Sequence, residues 1–300
     1  MFYYGTGIKR FKEKDYNGAI SNFSEAIHYE PEFTDAYYYR AQCYLKLPNY
    51  DEAIRDLSTV IRLDPSYLKA YMDRANVYLL QREYDDAIAD CNEAIKLNSQ
   101  NPLTYYLRGT AQSSKGNIDA AIVDYTKALV VAPKLWNAYL NRGCLLNSKK
   151  DYEGAIADFG MVLNLNPQNT DVYFYRAVTY SEQGRYQDSV NDYTVVINNN
   201  AKHFNAHYAR GRLYSKMQEF DAAIADLDSA LEFVPDHAWA YYWRGVAYAG
   251  KQAYAFAVSD LEKALQLDPS LDKDQRISDK LAKWKAILEA DNKPSDAAPE

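Results

Sequence analysis

The sequence predicts an all-α solenoid, a row of short helical hairpins in which each unit packs on its neighbours. Three observations carry that reading. The first is a 34-residue period. In the window 136–169, WNAYLNRGCLLNSKKDYEGAIADFGMVLNLNPQN, Pro167 returns in phase as Pro31, Pro65, Pro133, Pro235 and Pro269, with Ser99 and Ala201 in the two gaps. The second is a pair of phases reserved for small residues. With the proline counted as position 32, position 8 holds Gly7, Ala41, Ala75, Gly109, Gly143, Ala177, Gly211 and Gly245. Position 20 holds Ala19, Ala53, Ala87, Ala121, Ala155, Ser189, Ala223 and Ala257. Two helices need small side chains where their backbones approach, so these positions mark the antiparallel contact within each hairpin. The third is the large residues that flank that contact. Position 24 holds Phe23, Leu57, Cys91, Tyr125, Phe159, Tyr193, Leu227 and Leu261, and position 17 is Tyr or Phe in every repeat except for Ile118.

Taken in order, residues 1–269 form eight hairpins. Turns between paired helices are marked by Pro48-Asn49, Gly116-Asn117 and Gly184, and the pairs Asp64-Pro65, Asn166-Pro167 and Asp268-Pro269 stop second helices. No link is long enough to be a hinge, so 1–269 reads as one solenoid. After Pro269 the pattern lapses, but Ile277, Leu281, Trp284 and Leu288 fall on one face of a helix, with Lys280, Lys283, Lys285 and Glu289 between them. Residues 270–290 are therefore expected to cap the last apolar face. Residues 291–300, DNKPSDAAPE, have nothing to bury and are expected to be disordered.

Composition narrows the function classes. A net charge of -7 and the lack of any basic run argue against nucleic acid or an anionic membrane surface as partner. No apolar run is long enough to span a membrane. Cys43, Cys91 and Cys144 stand at unrelated phases without CxxC spacing, which fits reduced thiols and leans towards the cytoplasm. Met1 already falls at position 2 of the first repeat, as though a leader or upstream piece were missing, so the compartment stays open. Most of the 29 tyrosines sit at the recurring framework positions 4, 11 and 17. They are framework before they are function.

The period, the small residues at positions 8 and 20, the aromatic at position 4 (Tyr3, Tyr37, Tyr71, Tyr105, Tyr139, Tyr173, His207, Tyr241) and the proline at position 32 together resemble the tetratricopeptide repeat (TPR) family, in the style of its bacterial arrays. The resemblance covers residues 1–269. It implies a right-handed superhelix, no catalytic activity, no cofactor, and a ligand held in the concave groove lined by the first helices, chiefly at positions 2, 5, 6, 9, 12 and 13.

Position 5 reads Tyr4, Tyr38, Met72, Tyr106, Leu140, Phe174, Tyr208 and Tyr242, an apolar stripe suited to a peptide or protein segment with recurrent apolar anchors. The bland alternative is packing between successive helices. Tyr38, Tyr106 and Phe174 are candidate contacts along the stripe. Near the C-terminal end Trp239, Tyr242, Trp243, Tyr208 and Arg212 form its densest aromatic and cationic cluster, the expected hot spot. The family's two-carboxylate clamp for chaperone tails needs Lys at position 5 and Asn at positions 6 and 9. Position 5 never holds Lys here, so that mode is disfavoured. The alternatives to a scaffold are an envelope lipoprotein or glycan-binding component, or the repeat domain of a larger enzyme.

One feature departs from the family pattern, in which position 7 is commonly apolar. Position 7 is Arg40, Arg74, Arg108, Arg142, Arg176, Arg210 and Arg244, and position 23 is Asp56, Asp90, Asp124, Asp158, Asp192, Asp226 and Asp260; repeat 1 has Thr6 and Asn22 instead. Both positions lie beside the hairpin contact. A within-repeat ion-pair ladder is expected, Arg142 with Asp158 and Arg176 with Asp192 among its rungs, and the rival reading is a cationic ladder for an acidic ligand.

No enzyme motif stands out. His203 and His207 are the one histidine pair at ligand spacing, but His207 holds a framework aromatic position and His203 and His237 share position 34. A core-plus-loop role is expected for them, and no metal site.

Overall fold

The computed structural model describes residues 2–291. Among them are seventeen α-helices, one 3-10 helix and no strand. The chain divides into two compact units, Met1–Leu146 and Asn147–Glu300.

The first unit contains α1 (Phe2–Lys12), α2 (Tyr16–Tyr29), α3 (Thr34–Lys46), α4 (Tyr50–Leu63), α5 (Leu68–Leu80), α6 (Tyr84–Leu97), α7 (Pro102–Lys115), α8 (Ile118–Val131) and most of α9 (Trp136–Ser148). The second contains α10 (Tyr152–Leu165), α11 (Thr170–Gln183), α12 (Tyr186–Asn199), α13 (Phe204–Lys216), α14 (Phe220–Phe233), α15 (Ala238–Gly250) and α16 (Tyr254–Leu267). It ends with a 3-10 helix (Pro269–Lys273) and α17 (Gln275–Asp291). Odd-numbered helices up to α15 are the first helices of their repeats and even-numbered ones up to α16 the second. Residues 292–300, most of the expected disordered tail, lie outside the described residues, as does Met1.

Within each unit the hairpins close as the small residues require. Ala19, Ala53, Ala87, Ala121, Ala223 and Ala257 are fully buried, and Phe23, Leu57, Cys91, Tyr125, Tyr193, Leu227 and Leu261 fill the space beside them at no more than 2% exposure. Contact is close enough that a Cβ added at Gly7 would stand 2.6 Å from the Phe23 ring, and one at Gly211 2.8 Å from Leu227. Bulk at position 24 and glycine at position 8 thus depend on each other.

The turn after each first helix uses one left-handed residue at position 15: Lys14, Arg82, Lys150, Gln218 and Gln252 at φ 63–65°, Gly116 at 90° and Gly184 at 85°. Pro48, whose ring resists that region, reaches 26°. The amide that follows returns to the carbonyl five residues back, as in Glu83 to Tyr78 at 2.8 Å and Arg185 to Tyr180 at 2.8 Å. Second helices stop at an extended residue at position 31, where Asp64, Asn98, Asn200 and Asp268 accept from the amide two residues on at 2.9–3.1 Å. The acid or amide thus turns the chain over the link that begins at position 32.

At the end of the second unit Leu271, Ile277 and Trp284 are buried, with Leu281 half-buried, against Leu261 and Ala264 of α16. Lys285 pairs with Glu262 at 2.7 Å. Glu262 is position 25 of the last repeat.

Candidate functional site

Arginine and aspartate meet within repeats. Arg40–Asp56, Arg74–Asp90, Arg108–Asp124, Arg176–Asp192, Arg210–Asp226 and Arg244–Asp260 are bidentate, Nε to Oδ2 and Nη2 to Oδ1, at 2.7–2.9 Å. In Arg40, Arg74, Arg108, Arg142, Arg210 and Arg244 another nitrogen, Nη1, reaches the second helix of the preceding repeat. It donates to Ser24, Ser58, Asn92, Thr126, Thr194 and Asp228 at 2.6–2.9 Å. Arg142, the donor to Thr126, belongs to the first unit and the buried Asp158 to the second.

Tyrosines at positions 4 and 11, one turn either side of the arginine, enclose it further. The guanidinium carbons stand 5.2–5.8 Å from the rings of Tyr37, Tyr105, Tyr139, Tyr173 and Tyr241, and 5.7–6.0 Å from those of Tyr78, Tyr180, Tyr214 and Tyr248. Hydrogen bonding to Asp90 pushes the pKa of Arg74 further up and holds it charged. With most of its nitrogens and faces engaged by the protein, this row has little left for a ligand.

The position-5 stripe sits half-buried over the link that ends its own repeat. Ring pairs are Tyr4–Phe33 at 4.7 Å, Tyr38–Tyr67 at 5.0 Å, Phe174–His203 at 5.4 Å and Tyr208–His237 at 4.8 Å. Several stripe residues also meet position 6 of the next repeat. Tyr38 donates to Asp73 Oδ2 at 2.9 Å, and Asn141 Nδ2 donates to the Tyr106 hydroxyl at 3.3 Å. At Tyr38 and Tyr106 the stripe therefore contributes to contact between repeats, where it was expected to line a groove.

On α15 one aromatic opens outward. Trp239 is 41% exposed, whereas Tyr242 is 7% exposed. Their rings meet edge-on at 5.4 Å, and Tyr242 meets Trp243 in the same way at 5.3 Å. Across a cleft of about 240 Å³ stand Asp274, Arg276, Ile277 and Lys280 of the cap. Lys280 donates to the Tyr242 hydroxyl at 2.7 Å. Arg276 chelates Asp274 at 2.8 and 3.0 Å and holds that carboxyl below its usual range. Tyr208 links this group to Arg212, beside which it lies on α13. Apolar rings on one wall and cations on the other suit a segment with both an apolar anchor and an acidic group.

Sequence profiles described as "Tetratricopeptide repeat" match residues 10–71, 49–102, 106–170, 159–191 and 240–271, and one described as "TPR repeat" matches 211–252. The chain belongs to the tetratricopeptide repeat family. Solved TPR structures share its fold. The C-terminal part of a TPR repeat-containing protein from Cytophaga hutchinsonii is 19% identical, with a TM-score of 0.60 over 93% of this chain and 99% of that one. A TPR protein from Parabacteroides merdae is 18% identical, with a TM-score of 0.58 over 84% and 98%. YrrB, described as a TPR protein with an unusual peptide-binding site, is 23% identical, with a TM-score of 0.57 over 64% and 97%. No curated protein matches the sequence.

Within this TPR chain three of the four histidines make structural contacts. His203 and His237 are N-caps, each accepting at Nδ1 from the amide three residues on at 3.1 Å. The buried His207 lies between Asp226 Oδ1 at 3.0 Å and the Ala201 carbonyl at 3.1 Å. Burial pushes the Cys43 and Cys91 thiols up to about 12. Among the described residues no three His, Cys, Asp or Glu side chains gather as a metal site, and no helix is long and apolar enough to cross a membrane.

Sequence reasoning missed two features of these sites. Position 25 was overlooked because its residues differ in type while sharing one acceptor role. The cap residues Arg276 and Lys280 belong to no repeat phase. Lys280 could have been found from its placement one turn after Ile277, on the edge of the buried face.

Proposed function

We propose that the protein is a non-catalytic scaffold that holds a peptide or protein segment on the first-helix face of the second unit. Its anchoring point is the cleft between Trp239, Tyr242 and Trp243 on one side and the cap on the other, continued by Tyr208 and Arg212. Phe174 extends the face, and Tyr38 and Tyr106 occupy the same phase in the first unit. The observation that carries this reading is Trp239. A large aromatic left 41% exposed at the mouth of a cleft is a costly surface for a free protein and a favourable one for an interface. TPR folds commonly serve as protein-interaction scaffolds, which supports the class of function.

The direct test is a pull-down and binding titration with Trp239→Ala. The variant should bind at least about 2 kcal/mol more weakly while helix content and thermal unfolding stay unchanged. A folded Trp239→Ala protein that recovers its partner as well as the parent does would place the binding surface elsewhere.

A further inference from the structure

Arg212 differs from the position-7 arginines. It is half-buried on α13, its Nε is buried without a hydrogen-bond partner, and it makes no ion pair among the described residues. Its surroundings offer donors and rings. The Tyr208 hydroxyl lies beside it and is also approached by Trp243, and the buried Tyr193 feels its charge. One turn on along the helix is Lys216, a second cation, 5.7 Å from the Tyr186 ring. Burial and the nearby Arg212 both push the pKa of Lys216 down. The carboxylate of Glu182, which also acts on Tyr193, is held instead by Asn147 Nδ2 at 3.0 Å.

A half-buried guanidinium that meets a tyrosine hydroxyl but no carboxylate, and whose Nε is shut off from water without an acceptor, has given up part of its hydration without full replacement. Two cations at helical spacing that repel each other leave the site short of negative charge. The six bidentate pairs show how this chain completes an arginine that serves the fold, and Arg212 lacks that completion. Resting on the groove reading above, we infer that Arg212, with Lys216 beside it, is the seat for a carboxylate of the bound segment. The ligand is then an acidic peptide in which an Asp or Glu side chain lies on Arg212 while a neighbouring apolar residue enters the Trp239 cleft. The Tyr208 hydroxyl, which lies between Arg212 and Trp243, supplies a further donor between the two subsites.

The test uses random heptapeptides displayed on phage and selected on the full chain and on its Arg212→Met, Lys216→Met and Trp239→Ala variants. The parent should enrich peptides with Asp or Glu at a fixed spacing from an aromatic or aliphatic residue. A synthetic peptide of that sequence should bind roughly tenfold more tightly than its Asp→Asn or Glu→Gln counterpart. Arg212→Met should abolish that difference, and Lys216→Met should reduce it. Because methionine keeps the packing stem and removes an unpaired charge, Arg212→Met should melt no lower than the parent. A melting temperature several degrees lower would show a structural role and overturn the inference, as would a tenfold preference that survives in Arg212→Met. Peptides that need Trp239 but show no acidic preference would sink this inference and leave the groove standing. Selection of nothing that depends on either residue would sink both.

Discussion

At the scale of single residues, the arginine at position 7 ties three helices together, and its partners set its energetics. Removing one member of a largely buried pair strands the other, which costs more than the pair contributes. Arg74→Ala and Asp90→Ala should each destabilise by about 3 kcal/mol, and the double variant should cost clearly less than their sum in denaturant titrations. Additive losses would mean that the two side chains do not depend on each other. The third contact of the arginine has its own test. Arg176 faces Gly160 where the other rungs have a hydroxyl, amide or carboxylate, and a Cβ at Gly160 would meet nothing within 4 Å. Gly160→Ser should therefore raise stability by up to about 1 kcal/mol, through a hydrogen bond to Arg176 and the loss of a helical glycine. Unchanged unfolding would show that the second-helix contact is incidental. The arginine and aspartate columns were legible because charge at a fixed phase stands out against an apolar family pattern. Position 25 was not, because Ser24, Asn92, Thr126 and Asp228 look unrelated until the guanidinium is seen to reach all of them.

At the scale of helices, the ends decide as much as the faces. His237 caps α15 through Nδ1, and that acceptor exists only on a neutral ring. Burial pushes its pKa down. A histidine whose folded pKa is lowered favours the folded state above the ordinary histidine range. That contribution is lost as pH falls from that range towards the lowered value. Amide exchange at the start of α15, corrected for its intrinsic pH dependence, should speed up between pH 7 and 5 in the parent and stay constant in His237→Asn. Equal pH profiles would show that the cap does not titrate. The buried face of the cap helix was legible because Ile277 and Trp284 keep helical spacing. The 3-10 helix before it was not. Leu271 fills the position-34 slot held elsewhere by Phe33, Tyr67 and His237, and a slot so varied in residue type leaves no pattern to extend past the last proline.

For the molecule as a whole, repetition made the fold readable from one window, and it also hid the site. A residue present in every repeat is explained by packing before it is explained by function, and the position-5 stripe shows this in Tyr38 on Tyr67 and Tyr208 on His237. What departs from the period is more telling: Trp239 left open, Arg212 left without a carboxylate partner among the described residues, and Lys280 brought in by a helix outside the repeat. The first two were legible as a dense cluster, and the third required the fold. The central claim, that ligand is held on the first-helix face of the second unit, is tested most directly by hydrogen–deuterium exchange with and without a bound peptide. New protection is expected in α13, α15 and the start of α17, with α12, α14 and α16 little changed. Protection confined to α12, α14 and α16, with α13 and α15 unaffected, would contradict it.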